Sequence, residues 1–135
     1  MNLITVEEVR QLHAEGVKRH GGSAIVPKSA DNCVDGRIGN AALAEQYVTD
    51  DERMRPGLCF AGFLLFYLVQ GHCFTDGNKR VGWSAAMRVL ADLGLTVEAS
   101  DDEAYDFCCG ITSGNVKNGR QVVKWFAQRL TAPNN

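Results

Sequence analysis

Nine consecutive residues, His72, Cys73, Phe74, Thr75, Asp76, Gly77, Asn78, Lys79 and Arg80, put a base, a carboxylate, an amide and two cations side by side. His72 carries an imidazole that can take a proton from an attacking hydroxyl. Asp76 is a hard oxygen ligand of the kind Mg²⁺ uses when it bridges a carboxylate and substrate phosphates. Lys79 offers a point charge to a phosphate, and Arg80 can grip phosphate oxygens through two parallel hydrogen bonds. Gly77 lets a ligand approach the backbone with no Cβ in the way. Asn78, Lys79 and Arg80 fall in the first turn of an expected helix, where unpaired N–H groups and the positive dipole end attract anions. Two cations at that end oppose the dipole, and a bound triphosphate would remove the conflict. The segment reads as a phosphate-handling loop that transfers part of a nucleoside triphosphate to a hydroxyl.

Taken one at a time, these residues have plainer readings. A histidine after a helix is ordinarily a cap or a surface group, and that is the reading for His13 and His20. Lys79 and Arg80 alone would be a solvated pair. Gly71 and Gly77 with Lys79 do not have the spacing of a Walker loop. His72 and Asp76 could ligate a transition metal, but no second His or Cys stands at ligand spacing. The concentration of these groups between two helices favours a site.

The rest of the chain must position that loop. A length of 135 residues suits one domain, 1–135, with a single core. Apolar residues at 45% and charged residues at 22% are the balance of a soluble globular chain. A net charge of −2 argues against a DNA-coating role, so no direct nucleic-acid binding is expected. The five cysteines are odd in number and lack a C-x-x-C pair, which indicates neither a disulfide framework nor a zinc knuckle. Reduced thiols suit a cytoplasmic protein. The first residues do not resemble a signal peptide, and the apolar run 58–69 is well short of the ~18–20 residues a membrane span needs.

Helix signals recur along the sequence. Thr5 and Glu8 form a capping box ahead of a stripe of Val9, Leu12, His13 and Val17, and Gly21 with Gly22 ends that helix. Residues 22–34 read as loop, and a helix is expected over 36–47 despite Gly36 and Gly39. Residues 49–55 are a charged connector, and Pro56 suits a first helical turn. Residues 56–70 are apolar on nearly every face, which places that helix at the centre of the fold. After the polar loop, a helix over 78–93 carries Trp83, Met87, Leu90 and Ala91 at helical spacing. Residues 95–97 form an extended stub without a partner. Ser100 and Glu103 make a second capping box for a helix to about 112, and a last helix covers 119–130, before a frayed tail over 131–135. The expected fold is all-α, a compact bundle of about six helices around the central buried one.

The segment H-C-F-T-D-G-N-K-R resembles the signature of the Fic/Doc family, H-x-F-x-[DE]-G-N-[GK]-R, with every constrained position filled. The opening I-T-V-E-E-V-R-Q-L-H, followed by G-G, is similar to the start of the Doc (death-on-curing) branch. The resemblance implies that His72 activates a target hydroxyl, that Asp76 binds Mg²⁺, and that Gly77, Asn78, Lys79 and Arg80 hold the phosphates of ATP. Phe74 would plug into the core and anchor the loop. In the larger Fic branch, mostly AMP-transferring, the eighth motif position is glycine and a second arginine follows. Here those positions hold Lys79 and Trp83, and both departures point to the Doc branch. Doc proteins are toxins that phosphorylate a threonine of elongation factor Tu. The resemblance thus implies a cytoplasmic kinase toxin whose partners are that translation factor and a cognate antitoxin, with no membrane association. An AMP or other nucleotidyl transferase, and a non-catalytic relative that binds a partner, are the alternatives. The inhibitory pattern [ST]-x-x-x-E-[GN] of many Fic enzymes does not occur in the chain, so inhibition is expected from a separate protein.

Overall fold

A computed structural model of the chain describes residues 3–47 and 57–131. Among these residues lie six helices: α1 (Val6–His20), α2 (Ala30–Glu45), α3 (Leu58–Gly71), α4 (Asn78–Asp92), α5 (Asp101–Ser113) and α6 (Gly119–Gln128). The fold is all-α, as the sequence predicts, with one short ribbon of β1 (Thr96–Val97) and β2 (Leu130–Thr131).

Both capping boxes close. The Thr5 hydroxyl accepts from the Glu8 N–H, and the Glu8 carboxylate accepts from the Thr5 N–H; Ser100 and Glu103 repeat the arrangement at α5. Glu8 also works at longer range. One of its oxygens takes the Thr5 N–H, while the other accepts from Arg88 of α4 at 2.9 Å, which sets the register of α1 on α4.

The centre of the fold is α3. Every residue from Leu58 to Phe66 is buried, and α2, α4 and α6 all pack against it. A helix with no polar face must be enclosed on all sides. Glycines let its neighbours come close: a Cβ on Gly62 would strike Val123 of α6, and one on Gly82 of α4 would strike Val69 and Leu65. On the far side of α4, Trp83 meets Trp125 and Phe126 edge-on at 6.1 and 6.0 Å, tying α4 to α6.

Three expectations change. First, α2 begins at Ala30 rather than at 36, because Ala30, Val34, Ile38 and Ala41 form a continuous buried stripe. Gly36 and Gly39 face outward, where an added Cβ would meet nothing, so they lower helix propensity without interrupting the packing. Second, the stub after α4 has a partner: Thr96 pairs with Thr131 and Val97 with Leu130. Third, that pairing ends α6 at Gln128 and orders Thr131, which was expected to fray. The connector 49–55, Pro56 and the tail residues 132–135 lie outside the described residues. No helix among the described residues is long and apolar enough to cross a membrane.

Candidate active site

The central helix stops at Gly71, and the next residue turns the chain. His72 has φ 48° and ψ 45°, and it is the one non-glycine residue with positive φ among those described. A left-handed conformation there costs on the order of 1–3 kcal/mol and recurs at functional sites. Here it reverses the backbone so that the imidazole stays exposed while Cys73 and Phe74 turn into the core.

Behind His72 the loop is tightly held. Phe74 is buried and stacks on the ring of His13, centroids 4.0 Å apart and planes within 9°. Asn78 folds back on the same residue. Its Oδ1 accepts from the Phe74 N–H at 3.0 Å, and its Nδ2 donates to the Phe74 carbonyl at 2.8 Å. The Asn78 side-chain amide is therefore engaged by the loop itself.

Asp76 is held at three atoms. Its carbonyl accepts from His13 Nε2 at 2.9 Å. A carbonyl can only accept, so that nitrogen carries the proton. One carboxylate oxygen takes the Gly77 N–H at 3.0 Å and the other takes the Ser23 N–H at 3.1 Å. Gly22 makes this second contact possible. Its φ is 105°, and a Cβ there would lie 2.8 Å from the carboxylate. Each oxygen keeps a lone pair, and the side chain is exposed. No three His, Cys, Asp or Glu side chains converge into a metal cage among the described residues. One exposed carboxylate fits a Mg²⁺ ion that takes its remaining ligands from phosphates and water.

Helix α4 begins without a cap. Gly77 at its N-terminus has φ 78° and ψ 18°, and no side chain among the described residues caps the leading N–H groups. Arg80 is exposed and lies across Gly16 of α1, its Cδ 3.1 Å from where a Cβ would stand. Lys79 leans the other way, its Nζ 6.0 Å from the centre of the Tyr105 ring on α5. Burial pushes the Cys108 thiol up to about 12, the neighbouring Cys109 adds to the shift, and the Lys79 charge opposes it. The crease between α1 and α4, lined by His13, Gly16, Gly77 and Arg80, holds no space for a water molecule and is a packing seam.

The model of the Fic/DOC family matches residues 3–90, which takes in α1 to α3, the whole loop and nearly all of α4. The chain belongs to the Fic/DOC family. Membership makes it a Fic-type protein-modifying protein, a transferase acting on proteins. Comparison with curated proteins finds no match.

Several residues at this Fic/DOC site escape a reading of the sequence. His13, expected as a surface or capping histidine, is 3% exposed and supports the motif from beneath. Its place in the stripe of Val9, Leu12 and Val17 was the available signal, since a histidine on a buried face needs a polar partner. Gly21 and Gly22 are read from the sequence as a helix stop; Gly22 also clears room for the Asp76 carboxylate, which accepts from the Ser23 N–H. The cysteine reading is corrected outright. Cys33 of α2 and Cys73 of the motif form a disulfide, with Cα atoms 5.5 Å apart across 40 positions of sequence. That separation carries no spacing pattern, so only the fold reveals the pair.

Proposed function

We propose that the chain is a Doc-type protein kinase. It moves the γ-phosphoryl group of ATP to a hydroxyl, a threonine of a translation factor such as elongation factor Tu, and acts in the cytoplasm as the toxin of a toxin–antitoxin pair. The observation that carries this reading is the pairing of Lys79 with Trp83. Lys79 adds bulk and charge where an AMP-transferring relative has glycine, which favours a nucleotide bound with its γ-phosphate toward His72. The place of a second phosphate-binding arginine holds Trp83, whose ring is engaged with Trp125 and Phe126.

In this reading His72 takes the proton from the target hydroxyl as its oxygen bonds to the γ-phosphorus. The bond from that phosphorus to the β–γ bridging oxygen breaks, and ADP leaves. Arg80 and the uncapped N–H groups of α4 hold the phosphate oxygens, and Lys79 adds its charge. Asp76 would hold Mg²⁺, which supplies neutralisation of the phosphate charge. His13 and Ser23 keep Asp76 in place.

Control would come from an antitoxin. The chain has no inhibitory helix pattern, and Trp83 removes the arginine that such a helix would engage. A disordered antitoxin segment that folds as a helix on the toxin fits that need.

Incubation with γ-labelled and, separately, α-labelled ATP and a translation-factor substrate tests the reaction. Label is expected from the γ position alone, and to vanish with His72→Ala. Label from the α position alone replaces the kinase with an AMP transferase. Growth arrest that survives His72→Ala replaces it with a partner-binding relative.

A further inference from the structure

The loop around His72 is held from two sides by different means. From the side of α1 and α4, residues 74–78 are fixed by non-covalent contacts: the His13 stack, the two hydrogen bonds between Asn78 and Phe74, and the hydrogen bonds of His13 and Ser23 to Asp76. From the side of α2, residues 71–73 are held by the Cys33–Cys73 bridge and by Arg37, one helical turn from Cys33, which lies against Gly71. Arg37 Nε is buried there without a hydrogen-bond partner. His72 sits on the second portion. It is exposed, left-handed, and makes no hydrogen bond among the described residues. The one strong tether of the base is thus a bond that thiols can break.

We propose that Cys33 and Cys73 form a reversible thiol–disulfide site that governs how His72 is presented, with a small thiol of the glutathione class as its reductant. Cys73 is 4% exposed, whereas Cys33 is only partly buried, so Cys33 is the sulfur open to attack. An incoming thiolate bonds to Cys33 Sγ, the Cys33–Cys73 bond breaks, and Cys73 leaves as a thiolate that takes a proton from water. A second thiol then displaces the first from Cys33. The protein gains two electrons and two protons, and two small thiols become one disulfide. A bridge in the reducing cytoplasm of the proposed function is a reversible device rather than a permanent staple.

Reduction frees residues 71–73 while residues 74–80 keep their own supports. Turnover therefore falls on the order of tenfold as the base loses its fixed position, and the KM for ATP changes little. Differential alkylation and mass spectrometry of the native chain should find Cys33 and Cys73 protected until a dithiol is added. Amide hydrogen exchange should quicken on reduction at 71–73 and not at 76–80. Cys33→Ser should copy the reduced chain and lose its response to dithiol, while Cys109→Ser keeps that response. Free alkylation of both cysteines before reduction overturns the proposal, as does exchange at 71–73 indifferent to dithiol, or a dithiol response that persists in Cys33→Ser. The kinetic arm rests on the kinase reading. Alkylation and exchange do not, so failure of that reading leaves the thiol site decided on its own terms.

Discussion

Two helices of this protein begin in opposite ways. At α5, Ser100 caps the first turn, Glu103 returns the bond, and Asp101, Asp102 and Glu103 set three acids against the positive end of the dipole. At α4, a left-handed glycine stands in the cap position with its own N–H taken by Asp76, no side chain among the described residues bonds to the N–H groups of the first turn, and the charges in that turn are Lys79 and Arg80. Both ends present the same unpaired donors. One is completed by the chain and contributes to stability. The other is left open and made more positive, which is unfavourable for folding and favourable for a polyanion. The comparison separates stability from function along a single structural motif, the helix N-terminus.

The comparison breaks first at Arg80. With Arg80→Ala, ATP binding by calorimetry should weaken by roughly 1.5–3 kcal/mol, the worth of hydrogen bonds to a charged group, with little change in thermal midpoint. Unaltered ATP affinity would show that the open end of α4 is not the phosphate grip. At α5 the expectation inverts. Ser100→Ala should lower stability by about 1 kcal/mol in denaturant titration and leave ATP affinity untouched.

The smallest effect is acid sensitivity. Glu103 is held below the ordinary carboxylate range, first by the Ser100 N–H and then by the Arg129 charge. A lowered folded-state pKa gives stability that is present above the unfolded value and lost as pH falls through the folded one. The contribution of the α5 box should therefore fade below roughly pH 4, and the Glu103→Gln chain should show a shallower loss in that range. An equal slope in both chains would remove Glu103 from the account.

The contrast also marks what a sequence displays. S-x-x-E and T-x-x-E are local, so both capping boxes and the helices they open are readable without the fold. The all-apolar run of α3 announces its own burial, and the nine motif residues lie together along the chain. What supports the motif is another matter. His13, Ser23 and Cys33 reach it from 63, 53 and 40 positions away. Such contacts depend on how α1 and α2 dock against α3 and α4, which no local pattern encodes. The late start assigned to α2 has a similar root: Gly36 and Gly39 depress propensity, while the buried stripe from Ala30 to Ala41 decides the outcome.

The family match ends at residue 90, yet the central helix does not finish its packing there. Val123 of α6 presses on Gly62, and Phe63 lies under Gly119, so one flank of α3 is roofed by a helix outside the matched segment. The pairing of β1 with β2 then fastens the end of that roof beside the turn that follows α4. A chain cut after residue 90 would keep all nine motif residues but uncover the aromatic flank of α3. The segment that carries the family match is thus smaller than the segment that encloses α3.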